Sequence, residues 1–479
     1  MSSVPPRAQP PLKFIEPRFN PAVLQGMRYL MPLWMRGQTD LIQIQAENTD
    51  GLVKAYQQFQ SGQTRLLIAF RHPSPEDAFC LAHLMWYLLP QRARQLDAAI
   101  AGLPHIHFIY DRGIPLWAGQ WLGWLYSRLG GTPIQRGKVD IAGLRSARHL
   151  FASGQFPMAA APEGANNGHT EIVSPLEPGI AQLGFWCVED LRKANRDEAV
   201  IIIPLGIKYR YLKAPWQTVE QLLTQLEAEC GLSQPPELAQ VQQLKAQLAK
   251  SSHLPPQTAT LYARLLRLGE HLLSLMENYY REFYHMALLP AETELSPAET
   301  TDGFNIRLAQ RLDRLLKAAL TVAETYFNLV PKGSLIDRCR RLEQAGWDWI
   351  YRDELRPSQS LSAVERGLAD RIAEEASLRM WHMRLVESFV AVTGRYFLEK
   401  PTVERFAETV LLLRDTIARI QGRNPFPRLQ LGQQAVKMTV GEPISVSDRA
   451  PAYRHSRRQA VADLTQDLQA ALEGLIASE

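Results

Sequence analysis

From Leu41 to Ile207 short apolar runs alternate with helical patterns of about ten to fifteen residues, and no other feature restricts the fold as much. Strands are expected at Leu41–Gln45, Leu66–Phe70, His105–Tyr110, Thr132–Gln135, Pro157–Ala161 and Ala199–Ile207. Helices are expected at Gly51–Phe59, 76–89, Pro115–Leu129, Val139–Ala152 and Gly179–Ala194. Such alternation predicts an α/β core with a largely parallel sheet flanked by helices. In these sheets ligands gather beyond the carboxyl ends of strands. His72 and Glu163 both follow such an end.

After Leu212 the pattern turns helical. Leu261, Leu265, Leu268, Leu272, Leu275 and Tyr279 recur at spacings of four and three, as do Leu308, Leu312, Leu315, Ala319, Val322 and Tyr326. An exposed loop, Pro290–Thr300, is expected between them, and a further helix over Ser362–Phe397 with Val364, Leu368 and Ile372 on one face. At Asn424–Pro427 the helical pattern stops. Ala435–Val440 then alternates like a strand, and Arg454–Ala477 reads as an amphipathic helix. One strand and one helix are too little to stand alone. The expected division is therefore a Pro-rich N-terminus with an amphipathic helix (1–39), an α/β core (40–212), a large all-helical insertion (213–423) and a segment returning to the core (424–479).

A net charge of +4 is too weak to argue for a nucleic-acid partner. No run of 18 apolar residues is present, so no standard transmembrane helix is expected, nor does the N-terminus read as a signal peptide. Pro21–Met35 is apolar and interrupted by Pro32. Val23, Met27, Leu30 and Trp34 share a helical face, which suits either a membrane interface or the core. The cysteines Cys80, Cys187, Cys230 and Cys339 fit no metal spacing and are expected to be reduced, in a cytosolic setting.

Four blocks carry candidate chemistry. His72 and Asp77 flank the turn from the strand Leu66–Phe70 into the next helix. An imidazole oriented by a carboxylate is a usable general base. Ser74-Pro75-Glu76-Asp77 is equally a helix start, with Asp77 as capping-box partner, and both readings stand. Gly130 to Lys138 forms a glycine turn (Gly130-Gly131), a short strand and two cations, of which Arg136 would grip a phosphate as a fork and Lys138 as a point charge. Pro162-Glu163-Gly164 brings a carboxylate and a glycine to a strand end, and Pro204 centres the fourth block.

In kind and order these blocks resemble those of the phospholipid/glycerol acyltransferase family, which includes 1-acylglycerol-3-phosphate O-acyltransferase. The resemblance spans roughly 40–212 and 428–479, the latter including Gly441–Ile444. It implies an acyltransferase-type fold and transfer of a fatty acyl group from acyl-CoA or an acyl-carrier protein to a hydroxyl of a lysophospholipid. No further cofactor is implied. His72 would be the base, Asp77 its orienting partner, and Gly131, Arg136, Lys138, Glu163 and Gly164 would bind substrate. The implied place of work is the cytoplasmic face of a membrane, as a peripheral or monotopic protein. Two departures stand out. Arg71 replaces the family's Asn, and Ala165-Asn166-Asn167 lacks its Arg, which favours a neutral lipid acceptor as the alternative. The other alternative is a non-catalytic scaffold that works through the helical insertion. That insertion could bind a protein partner, cover an acyl pocket or mediate oligomerisation.

The remaining polar features are weaker. His105 and His107 share a strand face but lack an evident third metal ligand. Trp117, Trp121 and Trp124 share a helix face that suits a lipid interface or ordinary packing. Arg449, Arg454, His455, Arg457 and Arg458 read first as a solvated helix start, and second as a contact for anionic headgroups or an acidic carrier protein.

Overall fold

The computed structural model describes residues 7–115, 119–135, 140–232, 255–288, 301–356, 361–389 and 396–477. The chain divides into two compact units. One joins Leu12–Leu212 to Gln433–Glu479, the other Met1–Pro11 to Lys213–Gly432.

The first unit opens with α1 (Pro21–Gln38), capped by the Asn20 side chain, then β1 (Leu41–Glu47), α2 (Thr49–Gln60) and β2 (Thr64–Phe70). The next helix begins as α3 (Asp77–His83), widens into a π-helical turn at Leu84–Leu88 and ends as α4 (Leu89–Gln95). The π turn ends at Leu88, two residues before Pro90, which has no N–H to continue the α ladder. Then follow β3 (His107–Asp111), α5 (Gln120–Arg128), β4 (Thr132–Ile134), α6 (Ile141–Ser153), β5 (Met158–Ala160), α7 (Gly179–Lys193) and β6 (Ala199–Tyr211).

After β6 come the helices of the second unit, α8 (Trp216–Glu229), α9 (Pro256–Tyr284), α10 (Thr301–Tyr326), α11 (Leu335–Ile350), α12 (Ala363–Glu387), α13 (Tyr396–Glu399) and α14 (Val403–Ile420). The chain then re-enters the first unit as β7 (Gln434–Val440), β8 (Ile444–Ser445), α15 (Ala450–His455) and α16 (Arg457–Ala477).

The sheet runs β1-β7-β6-β2-β5-β3-β4, with β8 also on β6. Strands β6, β2, β5, β3 and β4 are mutually parallel, so their carboxyl ends share one edge. β7 lies antiparallel to β6 and parallel to β1. All seven residues of β2 are buried, as a central parallel strand requires. Its side chains alternate between two cores. Leu66, Ile68 and Phe70 pack with α1 to α4, whereas Leu67 and Ala69 pack with α6, α7 and α16. β6 alternates the same way, with Ile203, Leu205, Ile207 and Tyr209 facing the α3 side.

α1 buries Leu24, Met31 and Met35. Leu30 and Trp34, two of the four positions on the expected apolar face, are exposed together with Tyr29 and Leu33 and so do not pack in the core. Pro32 cannot bond the Arg28 carbonyl within α1, and the Tyr87 hydroxyl donates to that carbonyl instead.

In the helical unit the expected seams hold only in part. Leu261, Leu265, Leu268 and Leu272 are buried, but Leu275 is exposed, and the buried line moves to Leu273 and Tyr280. A straight helix has 3.6 residues per turn, so a strict heptad stripe drifts off the contact. Val364 and Leu368 are also exposed. The face of α12 that packs is Ala369, Ala373, Ala376, Met380 and Met383, against α11. A Cβ on Gly346 of α11 would stand 2.1 Å from Met380 Sδ, so the two helices meet at close range. The tip of the N-terminus joins this unit. Gln9 N–H donates to Ile350 O at 2.8 Å, and Ala8 N–H to Asp370 Oδ1 at 3.0 Å. The loop expected at Pro290–Thr300 lies outside the described residues.

Candidate active site

β2 ends at Phe70 and delivers Arg71 and His72 to the carboxyl edge of the sheet. The His72 backbone is held at both ends. Its N–H donates to Glu163 Oε1 at 2.9 Å, and its carbonyl accepts from Asn167 N–H at 3.3 Å. The ring lies with Nδ1 3.0 Å from Asp77 Oδ2. Its side chain is 30% exposed while that of Asp77 is fully buried. Nε2 has no hydrogen-bond partner among the described residues.

Asp77 serves both readings of its motif. Oδ2 accepts from Ser74 N–H at 3.0 Å, half of a capping box, as well as facing His72. Oδ1 accepts from the Tyr209 hydroxyl at 2.5 Å. Burial pushes the Asp77 carboxyl above its ordinary range, and the donors His72, Tyr209 and Ser74 oppose that push. Tyr209 is raised well above the usual phenol range, first by burial and then by the Asp77 charge, so it stays a donor. Burial likewise raises the Cys80 thiol, which touches the Tyr209 hydroxyl at 3.5 Å and is not a nucleophile at neutral pH.

Glu163 lies beside His72 but is turned inward, only 4% exposed. Oε1 accepts from His72 N–H and, at 3.4 Å, from Arg71 Nε. Oε2 accepts from Asn167 Nδ2 at 2.9 Å and Ser174 N–H at 2.8 Å. Four donors occupy its lone pairs, so the carboxylate anchors the loop that frames His72. Arg71, fully buried, completes the frame. It donates to the carbonyls of Thr170 at 2.7 Å, His169 at 3.1 Å and Ile172. A guanidinium can satisfy a carboxylate and several carbonyls at once, which an Asn side chain at this position cannot.

Gly164 has φ +72°, and a Cβ there would stand 2.2 Å from Glu177 Oε1, so only glycine fits the turn. Gly131 sits at the start of β4, three strand spacings or about 14 Å from β2. A Cβ on Gly131 would stand 2.5 Å from Phe108, which makes it a packing glycine. Arg136 and Lys138, with Trp117, lie outside the described residues.

His105 and His107 are core residues. Trp86 Nε1–H donates to His105 Nδ1 at 3.2 Å, His105 Nε2 bonds Leu129 O at 2.8 Å, and His107 Nδ1 bonds Gly130 O at 2.9 Å. Among the described residues no group of three His, Cys, Asp or Glu side chains could hold a metal. A cavity of about 540 Å³ opens between α6 and α7, lined by Leu144, Arg145, Arg148, His149, Trp186 and Asp190. It includes none of the residues around His72, and Arg148 is clasped there by Asp190 at 2.6 and 3.1 Å.

An expected strand end at Ile207 leaves Tyr209 off the site in the sequence. Carrying the alternation Ile203, Leu205, Ile207 one step further is the signal that reaches it. Thr170, whose Oγ1 accepts from Tyr209 N–H at 2.7 Å, carried no sequence signal at all. No family model, no curated protein and no solved structure matches this chain.

Proposed function

We propose that the α/β unit is an O-acyltransferase that moves a fatty acyl group from an acyl thioester, acyl-CoA or acyl-carrier protein, to a hydroxyl of a lysophospholipid such as 1-acylglycerol-3-phosphate. The observation that carries this reading is the accessible His72 ring held at 3.0 Å by a buried carboxylate. Nε2 takes the proton of the acceptor hydroxyl as its oxygen attacks the thioester carbonyl. The tetrahedral adduct collapses, the C–S bond breaks, and the departing thiolate receives the proton from the imidazolium. Asp77 fixes the tautomer with hydrogen on Nδ1 and stabilises the imidazolium. No serine or cysteine nucleophile is needed, because the thioester is already a reactive donor. Glu163 and Arg71 contribute by position, Gly164 by allowing the turn.

Attachment to a membrane surface is part of the reading. Tyr29, Leu30, Leu33 and Trp34 on α1 are exposed, as are Trp121 and Trp124 on the adjoining α5. Trp34 packs on Phe79 with ring centroids 4.5 Å apart, one short step from Asp77. An apolar face with interfacial tryptophans suits a peripheral protein on the cytoplasmic leaflet. Among the described residues no helix is long and apolar enough to cross a membrane. A neutral lipid alcohol is the second acceptor class, favoured by the loop after Gly164. It carries no cation at Ala165, Asn166 or Asn167, and Asn167 is tied back to Glu163.

Detergent-purified protein given labelled acyl-carrier protein or acyl-CoA, with lysophosphatidate or a neutral lipid alcohol, tests this. Transfer is expected, reduced about a thousandfold by His72→Ala. Transfer only to the neutral alcohol moves the acceptor and keeps the mechanism. A folded protein that transfers to neither acceptor, or a His72→Ala variant as active as the wild type, overturns the proposal and leaves a scaffold role for the helical unit.

A further inference from the structure

We propose that Tyr209 is a positioning residue for the base pair: its hydroxyl, brought up from the sheet by β6, donates to Asp77 Oδ1 and so holds Oδ2 toward His72. The inference rests on the reading of His72 and Asp77 as a general-base pair and adds a member that the motif does not contain.

Three observations carry it. The first is geometry. The Tyr209 hydroxyl lies 2.5 Å from Asp77 Oδ1, on the carboxylate oxygen that neither His72 nor Ser74 uses. The second is burial. Asp77 is 0% and Tyr209 6% exposed, and both stand among apolar side chains of the α3 side, where water does not compete for Oδ1. A buried carboxylate oxygen without a donor is strongly disfavoured, and the phenol supplies the donor that Oδ1 would otherwise lack. The third is anchorage. Tyr209 is a strand residue whose backbone pairs with Val436 of β7 and whose N–H donates to Thr170 Oγ1 at 2.7 Å. Thr170 belongs to the loop gripped by Arg71, so the same framework fixes His72 through Glu163 and Asp77 through Tyr209.

The titratable groups facing the phenol are few. Asp77 and Cys80 face it from α3, His72 stands beyond Asp77 on the loop, and Glu76 lies beyond Cys80. Lys208, the preceding residue of β6, turns to the opposite sheet face and pairs with Glu171 at 3.1 Å. A donor on Oδ1 stabilises the carboxylate. Its loss makes the pair bind its shared proton more tightly, so the transition sensed by His72 moves to higher pH.

The test is a pH titration of the His72 ring resonances in full-length protein carrying ¹⁵N-histidine, with His72→Gln used to assign them. In Tyr209→Phe, which removes one oxygen and keeps the ring, the transition is expected to move up by about one pH unit. The acid limb of kcat/KM should move with it, kcat should fall about tenfold at neutral pH, and KM for donor and acceptor should stay unchanged. A Tyr209→Phe protein that is folded and titrates with the wild type overturns the proposal. If Tyr209→Phe does not fold, fluorotyrosine placed at position 209 is the second variant. Its more acidic phenol is a stronger donor and should move the transition down, and an unmoved transition overturns the proposal. Because the resonances titrate whether or not acyl transfer occurs, failure of the acyltransferase reading would appear separately, as a wild-type protein without transfer.

Discussion

His105 is shut into the core between Trp86 and Leu129. The indole N–H donates to Nδ1, so the ring proton must sit on Nε2, where it meets the Leu129 carbonyl. Protonating Nδ1 would set two hydrogens against each other, and burial, opposed by the Leu129 carbonyl and helped by nearby His107, depresses this histidine from 6.5 to about 4. The unfolded chain takes up this proton below about pH 6.5, the folded chain only near 4. The native state therefore has its full stability above that window and loses about 3 kcal/mol from this residue as the pH falls through it. Denaturant melts from pH 7 to 4 should show the decline, and His105→Gln should remove this residue's share while leaving those of His107 and His382, which burial also depresses. Glu163 yields a second prediction. With all four lone-pair sites taken, it has none left for an acceptor. Glu163→Ala should leave the buried Arg71 guanidinium without its carboxylate and destabilise the protein by about 3 kcal/mol. Where the variant folds, kcat should fall and KM for the acceptor should stay put. A selective rise in KM would mean that Glu163 grips substrate.

The parts of the fold that the chain displays in its own spacing are the α/β elements. β2 carries the apolar run Leu66–Phe70 and β6 the run Ala199–Ile203, because both faces of a central strand are buried. The antiparallel pairing of β7 with β6 was not legible, since the 220 residues Lys213–Gly432 lie between the two strands. The helical seams misled for a different reason. Large apolar residues mark the obvious stripe, but α12 packs through Ala373 and Ala376, small enough to let α11 approach, and leaves Val364 and Leu368 outside. Nor did the sequence reveal which charges cross between helices. Arg338 of α11 meets Glu324 of α10 at 2.6 and 2.9 Å, and Arg311 of α10 meets Glu277 of α9 at 2.7 and 3.1 Å, all four buried. In the site, the His72–Asp77 spacing was legible because five residues suffice to bring the two together. The inward turn of Glu163 was not, because its donors are backbone and side-chain groups assembled by tertiary structure. Removing one member of a buried pair strands the other, so Glu324→Ala should cost about 3–5 kcal/mol. The pair itself is not intrinsically stabilising, so Arg338→Met with Glu324→Leu should recover most of that loss. Urea midpoints of the three proteins, compared at constant m, measure both effects.

At the scale of the whole molecule, the junctions of the helical stretch are as informative as its helices. The chain leaves the first unit after Leu212 and re-enters at Gln433, and Leu212 N–H donates to Gln433 O at 2.9 Å. From there β6 and β7 run antiparallel from Tyr211 opposite Gln434 to Leu205 opposite Val440. The two ends therefore have the geometry of a hairpin whose turn has been replaced by Lys213–Gly432, and a short turn can close such a pair at little entropic cost. β7 also brings Val436, Met438 and Val440 into the core that holds Tyr209 and Cys80, so the re-entry strand belongs to the architecture around Asp77. A chain that starts at Leu12, with a Gly-containing turn of a few residues in place of Lys213–Gly432, should fold cooperatively, with one thermal transition and native near-UV dichroism. A molten chain would mean that the sheet depends on the helical unit for its own packing. If the shortened protein folds and still transfers an acyl group, the chemistry is confined to the α/β unit, and the helical unit is left to act on donor, partner or assembly. If it folds but has lost transfer, with the His72 titration unchanged, the helical unit supplies something that His72, Asp77 and Tyr209 do not.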